Sequence, residues 1–215
     1  MYRTADKLLE QLKKLIRREF NRLGILSFDE LNAPRVTRET IATFDRLMKA
    51  NERDFLKAAQ KAYKNASALA IAAGFEADGE NIPDAMWLTA FLESYNFVSG
   101  YLYEPEAERK RLRLAEQMMT AIEYLSRTIY GDSLRRAANL WWTQTSHYML
   151  DSVDKATRDA YKDHGVEEVM WNTNIDGREC STCRERNGMI FPIDKVPPKA
   201  HRNCRCYITP VPRDK

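Results

Sequence analysis

The chain has 215 residues, of which 44% are hydrophobic and 30% are charged, with 8 glycines and 8 prolines. This length is enough to bury a core without covalent staples, and the interleaved charges of both signs are typical of solvated helix faces, so the composition excludes a disordered chain. The net charge of +3 is too small to indicate nucleic-acid binding by itself.

The first predicted element is an amphipathic helix over residues 3–23. Its apolar residues recur at three- and four-residue spacing and form one stripe. The other face is basic, because residues 1–23 contain seven Lys or Arg against three acids. We expect the stripe to pack on the core of its own domain, with a membrane surface or a partner protein as alternatives. The stripe consists of Leu8, Leu9, Leu12, Leu15, Ile16, Phe20 and Leu23.

Two further helices are predicted before residue 103. Asn32 and Pro34 interrupt the first pattern, and Thr37 is a candidate N-cap for a long helix that runs to about residue 73 and ends at Gly74. After a polar loop, Pro83 begins a helix over about residues 84–102. The core positions expected in the two helices are Phe44, Leu47, Phe55, Ala59, Ala62, Tyr63, Ala66 and Ala70, then Trp87, Phe91, Tyr95 and Phe97.

The helical pattern continues beyond these segments. Pro105 separates the helix before it from another one, which Gly131 is expected to end. Asp132 or Ser133 is then the expected N-cap of a last long helix, which Gly165 closes.

After residue 165 the pattern changes from helical spacing to short apolar runs. "VEEVMW" alternates like a strand, "NGMIFPI" is an Asn-Gly turn followed by an apolar run, and "CYITPV" is β-branched and aromatic. We therefore predict a mainly α fold: a long-helix body with a small C-terminal β-containing Cys/His unit that resembles a zinc knot. The predicted domains are a helical body at residues 1–131 and a C-terminal region at residues 132–215.

All four cysteines lie in this small unit, together with one histidine, as Cys180-x-x-Cys183 and His201-x-x-Cys204-x-Cys206. The chain shows no apolar signal core, so we expect it in a cytosol, where thiols stay reduced and bind metals more readily than they form disulfides. A tight turn at Cys-x-x-Cys spacing lets two thiolates bind one ion. The pattern predicts a closed, structural zinc site, which has no open position for an activated water and therefore no enzymatic activity.

Five donors are available to an ion that needs four. The favoured set is Cys180, Cys183, His201 and Cys204, and Cys206 competes for either of the last two places. The spacing does not decide between them. Two alternatives to a metal site stay open, namely that the thiols are small buried hydrophobic groups or that they pair as disulfides.

Several catalytic classes do not fit the sequence. A zinc deaminase needs a His-x-Glu and a Pro-Cys-x-x-Cys motif, whereas Glu179 precedes Cys180 and no His-x-Glu is present. The His-Glu-x-x-His motif of zincins is absent. A thiol in metal-type spacing is also a poor nucleophile, and the two single histidines of the last helix, His147 and His164, are expected to be packed or solvated.

A DNA-binding or metal-dependent nuclease module is the alternative from another class. "AHRNCRC" brings a His and an Asn together, and residues 195–215 contain six Lys or Arg against one acid. Basic ends of this kind can contact a phosphate backbone. A compact ββα nuclease would need a second metal-binding side chain, which His164 or Asp194 would have to provide.

These residues resemble the C-terminal signature of the phage head morphogenesis family, the minor head proteins similar to the F protein of phage Mu. The resemblance lies in "WNTNIDGRECSTC", "NGMIFPI" and "PPKAHRNCRC" and covers about residues 133–211. The family often has proline directly after the histidine, where this chain has Arg202, which concerns turn geometry more than ligand chemistry. The family's acidic residue corresponds to Asp176, with an expected role in bonding backbone amides at the turn.

The resemblance implies a non-enzymatic virion component that is assembled in the host cytoplasm. It would be present in few copies at the portal vertex or capsid interior and be needed for head assembly or DNA delivery. Its partners would be the portal protein and major capsid or scaffold proteins, with DNA contact through the basic ends left open. The chain ends shortly after the signature, so we expect a minimal form without an effector domain.

Overall fold

The computed structural model describes residues 2–24, 33–76, 83, 127–174, 179–201 and 204–213. The helices are α1 (Arg3–Gly24), α2 (Ala33–Ala72), α3 (Arg127–Asp163) and the short α4 (Ser181–Arg186), and a 3-10 helix spans Ile193–Lys195. The strands are β1 (Glu168–Asn172), β2 (Ile190–Pro192) and β3 (Tyr207–Pro210). The predicted mainly α fold with a small C-terminal sheet is thus confirmed. Among the described helices, none combines the length and the apolar character that a bilayer-spanning segment needs.

The chain divides into two compact units. The first consists of Met1–Lys7, Phe55–Leu88 and His147–Lys215, and the second of Leu8–Asp54 and Thr89–Ser146. The first unit contains the sheet and all four cysteines, together with the first residues of the chain. The separate division at residue 131 made from the sequence stays a prediction.

The second unit has a core formed by α1, α2 and α3. The buried cluster comprises Ile16, Phe20, Leu23, Leu47 and Leu134, and Trp141 and Trp142 pack against it. The predicted apolar stripe of α1 is confirmed: six of its seven residues are buried, and Leu15 is the partly buried one. Burial of such a stripe is what stabilises an amphipathic helix in water.

Helix α2 begins earlier than its sequence predicts. It starts at Ala33, so Thr37 lies inside the helix and is not its N-cap. Pro34 is compatible with this start, because the first helical turn does not use its amide hydrogens within the helix. The predicted core positions with a described side chain are all buried: Leu47, Phe55, Ala59, Ala62, Tyr63, Ala66 and Ala70. The predicted end at Gly74, with φ of 90°, is confirmed.

Helix α3 contradicts the predicted boundary at Gly131. The helix runs without interruption from Arg127 to Asp163, so Gly131 does not end a helix and neither Asp132 nor Ser133 is an N-cap. The Asp132 carboxylate instead pairs with Arg135 one turn on, and Ser133 is fully buried. A glycine inside a helix costs only about 1 kcal/mol, which packing of the flanking turns offsets. The helices predicted over residues 84–126, with Trp87, Phe91, Tyr95 and Phe97, lie outside the described residues.

The sheet follows α3 after Gly165, whose φ of 66° ends that helix as predicted. Strand order is β2-β1-β3, and both pairings are antiparallel. Trp171 of the central strand is 2% exposed and pairs with Ile208 of β3. The Asn-Gly turn before β2 is confirmed by the φ of 80° at Gly188. The two segments that carry the cysteines therefore lie between strands of this sheet: one connects β1 to β2 and the other connects β2 to β3.

Candidate metal centre

The first two cysteines are arranged by the short helix α4. Cys180 is its N-cap residue, and its sulfur accepts a hydrogen bond from the Cys183 amide at 3.4 Å. Cys183 is buried within the helix, and its carbonyl accepts a hydrogen bond from the Thr173 hydroxyl at 2.6 Å. Because Thr173 directly follows β1, this bond fixes the cysteine turn to the central strand. The sequence predicted a tight turn at Cys-x-x-Cys but not that a helix follows it.

The second pair of cysteines directly precedes β3. Cys204 and Cys206 are buried, at 2% and 3% exposed, and the pairing of β3 with β1 places them beside the first pair. The Cys206 sulfur lies 3.7 Å from the Thr173 hydroxyl. A single threonine at the end of β1 therefore contacts both halves of the cysteine cluster.

All five predicted ligands lie around the Cys183 sulfur. It is 3.5 Å from the Cys204 sulfur and 3.9 Å from His201 Nε2. Cys180, Cys183 and His201 form one group whose ligand atoms lie within 4.8 Å of one another, and Cys183, Cys204 and Cys206 form a second. Cys183 belongs to both groups, which makes it the centre of the arrangement. None of the four cysteines is paired in a disulfide.

These separations suit a tetrahedral thiolate site. Two sulfurs bonded at 2.3 Å to one tetrahedral ion lie about 3.8 Å apart, close to the 3.5 Å between Cys183 and Cys204. A sulfur and an imidazole nitrogen on the same ion lie about 3.6 Å apart, close to the 3.9 Å between Cys183 and His201. The Cys/His groups could therefore hold a metal ion with only small movements of the side chains.

The cysteines differ in acidity. Hydrogen bonding, first of all from the Cys183 amide, lowers the pKa of the Cys180 thiol. Burial raises the pKa of Cys183 and of Cys204. Burial also acts to raise the pKa of Cys206, but hydrogen bonds with Cys183, Cys204 and Thr173 outweigh it and lower that pKa. Binding of a cation would have to release protons from the buried thiols, so affinity should rise with pH.

The other residues singled out in the sequence are not part of these groups. His164 is 4% exposed, and its Nδ1 lies 3.0 Å from the Glu76 carbonyl oxygen. Asp194 pairs with Lys162 at 2.5 Å. Among the described residues, neither joins His201 in a metal-binding group. Asp176, Arg202 and Asn203 lie outside the described residues.

Sequence reasoning missed Thr173 and the side chains around the second cysteine pair. Thr173 gives no signal, because a threonine after a strand is common and its two contacts come from segments that are distant in sequence. Lys199 contacts the carbonyl oxygens of Cys204 and Cys206 at 3.3 Å and 2.5 Å. Only its position, two residues before His201, could have suggested such a role.

Residues 109–209 match the family model of the phage Mu protein F like proteins. The matched region includes α3, β1, β2, all of β3 except Pro210, and all five candidate ligands. The match begins at residue 109, which is 24 residues before residue 133, where the resemblance to the family signature begins. Comparisons with curated proteins and with solved structures give no match.

Proposed function

We propose that this chain, whose residues 109–209 match the phage Mu protein F like family, is a structural minor head protein of the head morphogenesis type. In this proposal it is not an enzyme. It acts as an adaptor between the portal protein and the capsid or scaffold proteins, and it is located at the portal vertex or capsid interior during head assembly or DNA delivery. The observation that supports the proposal is the family match together with the intact Cys/His cluster inside it.

In the proposed structural role, the Cys/His cluster is a rigid metal site in which the protein supplies all four ligands. Cys180, Cys183, His201 and Cys204 hold one structural zinc ion, since the first three form one close group and Cys204 lies 3.5 Å from the shared Cys183 sulfur. Cys206 has a hydrogen-bond partner of its own, Thr173. With four protein ligands the ion has no open position, so it contributes folding energy instead of an activated water.

Metal content tests this ligand set. Protein purified under reducing conditions without chelator should contain about one zinc ion per chain. A Cys180→Ser variant should lose the ion, and the matched Cys206→Ser variant should keep it, both measured by elemental analysis with a free-thiol count. Loss of zinc in both variants would show that Cys206 is a ligand, and wild-type protein with neither zinc nor free thiols would show that disulfides hold the unit together.

Purified phage procapsids test the adaptor role. Quantitative mass spectrometry of procapsids should find the protein in few copies relative to the major capsid protein, and the portal protein should co-purify with it from cells that lack capsid protein. A protein absent from procapsids would overturn the proposal. Co-purification with capsid protein but not with portal would keep the head location and remove the portal as partner.

A further inference from the structure

The second cysteine pair is held from outside by side chains from three segments: the residue before α1, helix α3 and the segment before His201. The Tyr2 hydroxyl donates a hydrogen bond to Asp154 Oδ1 at 2.5 Å and lies 2.8 Å from the Cys206 carbonyl oxygen. The Lys199 ammonium pairs with Asp154 Oδ2 at 2.7 Å. Lys199 also donates to Tyr2 and to the carbonyls of Cys204 and Cys206. We call Tyr2, Asp154 and Lys199 the outer triad.

The outer triad is largely removed from water, which makes its geometry specific. Tyr2 is 7% exposed, and the Asp154 and Lys199 side chains are 19% and 23% exposed. An ammonium group has three donors and no acceptor, and Lys199 lies within hydrogen-bonding distance of four acceptors: a carboxylate, a hydroxyl and two backbone carbonyls, the Cys204 carbonyl being the most distant at 3.3 Å. A charge-assisted network at this depth tolerates only a narrow range of arrangements.

The residue between the two cysteines strengthens the same connection. Arg205 pairs with Asp6 in the first turns of α1, and its guanidinium carbon lies 5.5 Å from the Tyr2 ring centroid. The Lys199 nitrogen lies 4.9 Å from the same centroid. The Tyr2 ring therefore lies near two cations, Lys199 and Arg205, which attract its electron-rich face.

We infer that Tyr2 and Lys199 are positioning residues for the metal centre, and that docking of the chain's first residues and metal binding strengthen each other. The inference rests on the proposed metal site and goes beyond it. The hydrogen bonds of Tyr2 and Lys199 go to the carbonyls of Cys204 and Cys206 and so fix the direction of the thiols. Groups that orient metal ligands in this way commonly contribute 10- to 100-fold to affinity.

Zinc affinity tests the positioning role. Full-length Tyr2→Phe and Lys199→Met variants should bind Zn²⁺ about 10-fold more weakly than wild type, measured by competition with a chromogenic chelator. Tyr63→Phe is the matched control for Tyr2, because Tyr63 also donates to a carboxylate, Asp163, at 2.6 Å. Lys162→Met is the control for Lys199, because Lys162 pairs with Asp194. Both controls should keep wild-type affinity and, by circular dichroism, helix content.

The reciprocal effect is measured at the start of α1. The Asp6 amide donates to the Tyr2 carbonyl oxygen at 2.9 Å, so its hydrogen exchange reports docking of the first turn. Zinc should slow its exchange in wild type and in Tyr63→Phe, but to a clearly smaller extent in Tyr2→Phe. Reciprocity is required by thermodynamic linkage, so the two measurements should change in the same direction.

The outcomes separate this inference from the metal site itself. Wild-type protein that binds no zinc overturns both. Zinc bound by wild type and by all variants with equal affinity, with Asp6 exchange unaffected by zinc, overturns only the coupling. If the controls lose affinity as much as Tyr2→Phe and Lys199→Met do, the losses report general destabilisation and the positioning role is rejected.

Discussion

At the scale of single residues, Asp151 makes stability depend on pH. Burial, and after it the nearby Asp154 carboxylate, raises the pKa of Asp151 from 3.8 to about 6, although His147 and Lys199 act to lower it. The folded state therefore binds more protons than the unfolded state between about pH 4 and 6. The stability that the protonated form provides is complete below pH 4 and is lost as the pH rises through 6.

An Asp151→Asn variant should remove much of this dependence. We expect its free energy of unfolding to change less between pH 4 and 7 than that of wild type, and to be higher at pH 7 by about 2 kcal/mol, because the variant has no buried carboxylate to ionise. Urea unfolding at several pH values measures this. Asp159→Asn is the control, since Asp159 forms a partly exposed pair with Lys155 at 3.1 Å; an equal effect of both variants would contradict the prediction.

At the scale of elements, the sequence predicts a helix end at three glycines, and the structure has one at two of them. Gly74 and Gly165 have φ of 90° and 66°, conformations that favour glycine strongly. Gly131 lies inside α3. The sequence around Gly131 does not show whether a helix ends there or continues. Both arrangements give the same apolar spacing on each side of the glycine. Packing of Leu134 in the core favours the continuous helix.

The continuous helix predicts opposite effects of alanine at two glycines. Gly131→Ala should raise the free energy of unfolding by up to about 1 kcal/mol, because alanine has the better helix propensity and nothing among the described residues lies within 4 Å of the added Cβ. Gly165→Ala should lower it by about 1–2 kcal/mol, because φ of 66° is costly for any side chain. Thermal unfolding of both variants measures this, and destabilisation by Gly131→Ala would favour a helix boundary there.

The strands and the clustering of the five candidate ligands could be predicted from sequence because their signals are local. The alternation of a strand, an Asn-Gly turn and the spacing within each cysteine pair can each be read from a few consecutive residues. The groups around the ligands, such as Thr173 and Asp154, could not be predicted, because their contacts depend on how the sheet and α3 meet. Spacing leaves open the choice between Cys204 and Cys206 as the fourth ligand, and the fold brings both of them close to Cys183.

At the scale of the whole molecule, metal removal should act on one unit. The sheet has strands of three to five residues, which are marginal without further support. A strong chelator should therefore increase hydrogen exchange at Val169 and Trp171 of the central strand, and added zinc should reverse this. Amides of residues 45–52 in α2 are the internal reference, because the second unit has its own apolar core. Unchanged exchange in the sheet would contradict a structural role of the metal.

The contact between Tyr2 and Cys206 also determines when the first unit can fold during synthesis. The two residues are separated by 204 positions, and a ribosome that adds about 5–20 residues per second needs roughly 10–40 s to make the chain between them. The first turn of α1 must therefore wait for the Cys204–Cys206 segment before the first unit can close. This unit can form only after residue 206 has been made, however early its helices appear.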